Sequence, residues 1–269
     1  MDDQSDMPDD ERHPGGIAND TAKALGMRIA SGHYEPGDKL PTEIDSADQL
    51  GISRTSYREA MRVLTGKGLL STRQKSGTSI NEICSWNHLA PEGIEWTFQG
   101  RPNRAYIASL FEFRMNLEPK AARLAALRRS SAQLRSLREA FGQLQGSSFT
   151  SDRGRRAERH FYKTLFASTQ NLMMSSKGDA MATASQAPTR PKGCHYPIYF
   201  APVADHLRLL NVIVDQDGEA AHGAASTLIL NAQEYAPQGS IRPRSDRLAA
   251  RFTASSTGNS ALSPTVQTN

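Results

Sequence analysis

The chain has 269 residues, of which 38% are hydrophobic and 7% aromatic, with a mean hydropathy of −0.55; this suits two modest domains with unfolded tail beside them. A net charge of +4 is too small to indicate a nucleic-acid partner by itself, so that case rests on where the bases cluster. No apolar run approaches a membrane span, the N-terminus has acids where a signal peptide has bases, and Cys84 and Cys194 lack metal-ligand spacing; a soluble cytoplasmic protein with no membrane partner is expected.

Residues 1–18 read as a disordered acidic tail, since the first sixteen contain six acids and one base. Residues 19–81 read as a winged helix-turn-helix. Its first informative helix starts after Thr42, an N-cap, with Asp45 three residues on to complete a capping pattern. Ile44, Ala47 and Leu50 are its expected inward positions, and Gly51 ends it. Ser53 caps the next helix, whose buried stripe is Tyr57, Ala60, Met61 and Leu64. The opposite face carries Arg54, Thr55, Arg58, Arg62 and Thr65. Arginines one turn apart near a helix N-terminus can meet base edges and phosphates, because the guanidinium fork matches guanine O6/N7 or a phosphate. Leu69 and Leu70 open a strand, residues 74–77 are turn chemistry, and Thr78 to Ile80 return as the second strand of a wing with Arg73 and Lys75 at its tip. From Gly51 to Ile80 the bases Arg54, Arg58, Arg62, Lys67, Arg73 and Lys75 face the single acid Glu59.

This stretch resembles the winged helix-turn-helix of GntR-type transcription regulators. The matching residues are Pro36, Gly37, Leu40, Pro41, Thr42, Glu43, Ser53, Arg54, Arg58, Glu59, Ala60, Gly68, Leu69 and Gly77. The resemblance implies double-stranded DNA as partner, contacted through Thr42, Glu43, Ser53, Arg54, Thr55, Arg58, Arg62, Arg73, Lys75 and Gly77. Two departures stand out: the family's arginine after the glutamate is Ile44, and its first wing glycine is Lys75.

Residues 82–104 read as a linker in which Trp86, Leu89, Ile94, Trp96 and Phe98 anchor one domain on the other. Residues 105–236 read as an all-helical antiparallel bundle, so the chain as a whole is expected to be mainly α. Its strongest helix runs from Arg104 to Arg129, with Ile107, Leu110, Phe111, Leu117, Ala121, Leu124 and Ala125 inward. Arg114 falls on that stripe, where a guanidinium needs an anion. Glu118, four residues on, could supply it, or Arg114 could face a cavity and await an acidic ligand. Pro119 is expected to kink the helix nearby. Further helices follow from Ala132 to Leu144, from Arg155 to Thr169, and from Val203 to Glu234 with a break at Asp217 and Gly218. Residues 237–269 read as a second disordered tail.

This half resembles the FCD effector domain of the FadR-type subgroup, on the phrase from Glu112 through Arg114, Leu117, Glu118 and Pro119 to Ala126. His206, Leu209, Leu210 and Ile213, followed by Asp217, Glu219 and Ala221, carry the rest of the match. With Trp86, Asn87, Ile94, Glu95 and Trp96, the chain is most similar to the sugar-acid branch over residues 20–236. The resemblance implies a homodimer and a small anionic metabolite bound near Arg114, Glu158, Tyr162, Asn171 and His206. Many FCD domains also hold a divalent metal through an Asp-x-x-x-His pair and two later histidines. Counting back from Ala167, Ser168 and Asn171, those positions are Glu158, Tyr162, His206 and Leu228. Leucine is no ligand, and His160 and His222 are off-register, so the ligand set is incomplete. No cofactor is expected, although a divalent metal stays possible.

Residues 173–200 contain Pro188, Pro191 and Pro197 and show no helical stripe after Met181, where the family has an apolar helix. Either a divergent loop covers the pocket, or the bundle is incomplete and effector binding is impaired. The expected function is a DNA-binding transcription regulator, a repressor responding to a small carboxylate or sugar acid. The rivals are a constitutive DNA-binding protein with a degraded effector site and, more remotely, a metal-dependent enzyme fused to a DNA-binding module. No Ser/His/Asp or Cys/His set supports an enzyme.

Overall fold

The structure, a computed structural model, describes residues 14–73, 76–99, 104–149, 151–186 and 203–234. Helix α1 (Pro14–Ala30) opens on a proline, whose fixed φ and missing N–H suit a first helical turn. It buries Ala18, Ala22 and Ile29. The acidic tail read as residues 1–18 therefore ends earlier than expected, because Ala18 is already core; residues 1–13 lie outside the described part. The second tail expected at residues 237–269 also lies outside it.

Helix α2 (Glu43–Leu50) and α3 (Arg54–Gly66) follow their signals closely. Thr42 accepts from the Asp45 N–H, Gly51 closes α2 at φ 63°, and Ser53 accepts from the Ser56 N–H. Tyr57, Ala60, Met61 and Leu64 are buried as one stripe. Strands β1 (Leu70–Arg73) and β2 (Gly77–Ile80) pair antiparallel with Leu70 opposite Ile80 and Arg73 opposite Gly77. Hydroxyls face each other across the hairpin at Ser71/Ser79 and Thr72/Thr78.

One expectation fails in α2. Ile44 and Leu50 are 48% and 54% exposed, and only Ser46 and Ala47 are buried. An eight-residue helix presents a narrow face to α3, and its small residues make the close approach. Leu50 instead borders a cleft of about 360 Å³ between α1 and α2, together with Ile17, Leu25, Leu40 and Tyr57.

The stretch read as a linker contains a helix, α4 (Pro91–Gln99). Ile94 and Phe98 join the hydrophobic core of the bundle, whereas Trp96 joins that of the winged domain. Residues two apart on a helix point to opposite sides, so α4 is buried from both. Trp86 and Leu89 are partly buried, one against each core. The junction is tight: a Cβ on Gly26 of α1 would lie 2.4 Å from the Trp96 ring. A Cβ on Gly68, at φ 76°, would lie 2.2 Å from the Ser85 carbonyl oxygen.

The bundle comprises α5 (Arg104–Arg128), α6 (Ser131–Gln145), α7 (Asp152–Ala167), α8 (Leu172–Ser175), α9 (Gly178–Gln186), α10 (Val203–Val214) and α11 (Gly218–Glu234). α5 runs on through Pro119 as one helix. α6 begins with a reciprocal capping box between Ser130 and Gln133. The architecture is mainly α, a winged helix-turn-helix with a small hairpin followed by an all-α bundle.

α9 corrects the reading of residues 173–200. A helix does form there, and Gly178 and Ala180 through Gln186 are all buried. With small side chains on nearly every face, it packs against α7, α4 and α5 and leaves no polar side to betray a period. Pro188, Pro191 and Pro197 lie outside the described residues, as does Cys194. Among the described residues, no helix is long and apolar enough to cross a membrane.

Placing a methyl group on Gly26 forces the Trp96 ring out of its seat between the domains. Gly26→Ala is expected to lower unfolding stability by about 1–3 kcal/mol. Urea unfolding followed by tryptophan fluorescence measures it, and an unchanged midpoint would show that the seat has room.

Candidate functional site

Two constellations emerge, one on the surface and one in the bundle core. On the surface, Arg54, Thr55, Arg58, Arg62 and Thr65 are exposed on the side of α3 away from its buried stripe. The α3 N-terminus adds the partial positive charge of unsatisfied N–H groups. Arg58 donates to Glu43 of α2 from Nε at 3.3 Å and from Nη2 at 2.8 Å. Arg62 donates in the same way to Glu59 of its own helix, at 2.9 and 2.7 Å. Arg54 has no ion pair among the described residues. Thr42 and Ser53 face solvent at helix starts, where their hydroxyls already serve as caps. Arg73 is exposed at the end of β1, opposite Gly77 at φ 79°. Lys75 lies outside the described residues.

Inside the bundle, Arg114 is 1% exposed and grips Glu118 one turn on, with Nε to Oε1 at 2.7 Å and Nη2 to Oε2 at 3.3 Å. Its Nη1 points at the Ala184 carbonyl of α9, 3.5 Å away. Of the two readings the sequence left open, the intrahelical pair is the one formed. Glu158 of α7 is buried beside it, next to Ser185 and Gln186 of α9. Burial pushes the Glu158 carboxyl up to about 7, against the opposing pull of Arg114 and of the neighbouring Gln186 and Ser185 side chains. Burial likewise raises Glu118 and lifts the Tyr162 phenol well above its ordinary range. Desolvation works against the charge on Arg114, but Glu118, Tyr162 and Glu158 together raise its pKa.

His206 of α10 is fully buried, with its ring 5.6 Å from Phe161 and 6.2 Å from Tyr162. Arg114, Glu158, Tyr162 and His206 thus converge on one region of the core. Asn171 does not join them. It is exposed, and its Oδ1 accepts from the Met173 and Met174 N–H groups at 3.0 and 3.1 Å as the cap of α8. Ser185, Gln186 and the Ala184 carbonyl are contributors the sequence did not indicate, because α9 was not legible as a helix.

The residues at the family's metal positions do not fit a divalent ion. Leu228 is buried hydrocarbon, and the Tyr162 phenol is held protonated beside a guanidinium. Among the described residues, no three His, Cys, Asp or Glu side chains form a group that could hold one. His160 points away from the core, with Nε2 2.8 Å from the Ser136 hydroxyl of α6.

Comparison with known proteins gives two family matches: residues 17–80 with the bacterial regulatory proteins of the gntR family, and residues 109–231 with the FCD domain. The HTH-type transcriptional regulator YieP of Escherichia coli (strain K12) is 27% identical over 218 residues, covering 77% of this chain and 90% of that protein. The galactonate operon transcriptional repressor of the same strain is 26% identical over 206 residues, covering 76% and 90%. Among solved structures, Lar, which controls the agr system of Listeria monocytogenes, aligns over 81% of this chain and 95% of its own at a TM-score of 0.57. Its sequence identity of 16% makes this a likeness of fold.

A carboxyl raised to about 7 in the folded state favours folding while it stays protonated. Its contribution is complete below the ordinary carboxylate range and disappears as pH rises through about 7. The wild type is therefore expected to lose stability relative to Glu158→Gln across that window, by at most about 1.4 kcal/mol per pH unit. Urea midpoints of both proteins at pH 5 and pH 8 measure the difference, and parallel profiles would contradict it.

Proposed function

This chain belongs to the GntR family of bacterial regulatory proteins and carries an FCD domain, and on that basis we propose that it is a dimeric, cytoplasmic repressor released from its operator by a small carboxylate or sugar acid. It is a DNA-binding transcription regulator by family, and no enzymatic step is part of the reading. The observation that carries the DNA half is the exposed row of Arg54, Thr55, Arg58 and Arg62, backed by a fully buried stripe on the same helix. Residues near the start of such a helix meet base edges in the major groove, and those further along meet phosphates. Arg73, Gly77 and Lys75 would follow the backbone from the wing, with Thr42, Glu43 and Ser53 at the helix starts.

The effector half rests on Arg114, Glu158, Tyr162 and His206. A buried guanidinium attracts a carboxylate, and a protonated Glu158 can donate a hydrogen bond to a ligand oxygen that its ionised form would repel. The name of the galactonate operon repressor supports a sugar acid as the class of ligand. α9 forms one wall of the region, packs on α4, and α4 carries Trp96 into the winged domain. A ligand that shifts α9 would thereby alter the pose of the reading helices, and two half-sites on DNA tolerate only one separation. Each tenfold of induction needs about 1.4 kcal/mol of preference for the DNA-incompetent arrangement.

A second reading has an observation of its own. Glu118 already engages Arg114 through both carboxylate oxygens, so the core is satisfied without a ligand. That favours a constitutive DNA-binding protein whose effector site has closed.

Arg58→Ala is expected to remove roughly 1–3 kcal/mol of operator affinity in a gel-shift series at fixed salt. Unchanged binding would remove the DNA-reading role of α3. A thermal-shift panel of sugar acids separates the two readings. At a hundredfold excess over its dissociation constant a true effector adds about 2.7 kcal/mol of stability, and a panel without any response favours the constitutive protein.

A further inference from the structure

The reading face of α3 holds a carboxylate where a DNA-binding surface would be expected to avoid one. Glu43 opens α2, yet its side chain spans to α3 and takes the Arg58 guanidinium by one edge, Nε and Nη2. The two side chains are 35% and 75% exposed, respectively. An ion pair this open to water contributes little to folding, so its place in the structure calls for another explanation.

The geometry supplies one. A guanidinium has five N–H donors in a rigid plane. Glu43 occupies the side edge and leaves the end of the fork, the two Nη1 hydrogens and the outer Nη2 hydrogen, directed away from α2. That end alone can still make two parallel bonds, as to guanine O6 and N7. A free arginine on an exposed helix would sample many rotamers and could grip any phosphate within reach. Held by Glu43, it is restricted to one approach. A phosphate placed to take the occupied edge would also meet the negative charge of Glu43, so poorly matched DNA is penalised.

Arg62 provides the internal contrast. It is held by Glu59 on the same helix, one turn back, in a similar two-bond grip. Arg62 lies further along α3, where contacts go to the sugar-phosphate backbone. Glu59 therefore tempers charge without selecting a base. Ile44 sharpens the asymmetry, because the position after Glu43 is exposed hydrocarbon and offers the carboxylate no competing cation.

We propose that Glu43 is a positioning residue for DNA recognition: it fixes Arg58 by one edge so that the opposite end of its guanidinium reads a purine base pair. This rests on the reading of α3 as the DNA-contacting helix, and the experiment keeps the two separable. The full-length protein selects duplexes from a random pool, and binding to the selected and a scrambled duplex is then measured at fixed salt. Wild type, Glu43→Gln, Glu59→Gln, Arg58→Ala and the Glu43→Gln/Arg58→Ala double variant are compared, with thermal melts to verify folding.

The expected result is that Glu43→Gln binds the scrambled duplex more tightly and loses about tenfold of its preference for the selected one. The relaxed base-pair positions coincide with those relaxed by Arg58→Ala, and Glu43→Gln has no further effect on preference in the Arg58→Ala background. Glu59→Gln gains affinity for both duplexes at an unchanged ratio. An unchanged ratio in Glu43→Gln, or an equal loss with and without Arg58, overturns the proposal while leaving α3 as the reader. A wild type that selects no sequence overturns both.

Discussion

The whole molecule depends on the burial of α4 from two opposite sides. Ile94 and Phe98 belong to the bundle core and Trp96 to the core of the winged domain, within one nine-residue helix. Such a helix cannot slide along one domain without disturbing the other. Gly26 permits this arrangement by leaving the Trp96 ring a flat seat on α1. Lys67, which follows the last turn of α3, adds a polar clasp to the same seat. Its ammonium lies 2.9 Å from Glu92 and 5.8 Å from the centre of the Trp96 ring. The C-terminal end of α3 and the start of α4 are thus joined by charge as well as packing.

What α4 meets on its far side is α9, and α9 is also a wall of the charged core. That core is unusual in composition, since one guanidinium serves two carboxyls, both raised by burial. Glu118 holds the cation directly, and Glu158 lies beside Ser185 and Gln186, which belong to α9. α9 in turn meets α4 through packed, nearly all-small side chains. Tyr162 and Leu228 fit this arrangement, since the cation beside Tyr162 is the Arg114 guanidinium that the chain carries itself.

How much of this was legible follows from how local each signal is. The caps at Thr42 and Ser53, the stop at Gly51 and the stripe on α3 are written within a few residues of where they act. The Arg114–Glu118 pair was visible as a four-residue spacing on a buried stripe. α9 was not, because a helix buried on nearly every side has no amphipathic period to read. The outward turn of Ile44 and Leu50 was hidden for a related reason: apolar character marks a preference for burial, but two helical turns offer too little contact to bury every apolar residue. The start of α1 was lost among acids, although Pro14 is a helix-opening residue and Ala18 is core. Asn171 was read through a family phrase, and its amide is engaged in a local cap that the phrase does not describe.

The chain contains the same chemical pair at two extremes of environment. Arg58 with Glu43 and Arg114 with Glu118 are both two-bond guanidinium–carboxylate contacts, but the arginines are 75% and 1% exposed. In water the attraction between unit charges at contact distance is about 1 kcal/mol, so the surface pair adds little to folding and leaves the outer end of the Arg58 guanidinium open to water. In the core neither partner can be lost without leaving an unpaired charge that the surroundings cannot solvate, and the pair holds the helices in place. Solvent exposure, rather than the identity of the residues, decides that one pair keeps an open guanidinium edge at the surface and the other fixes the frame behind it.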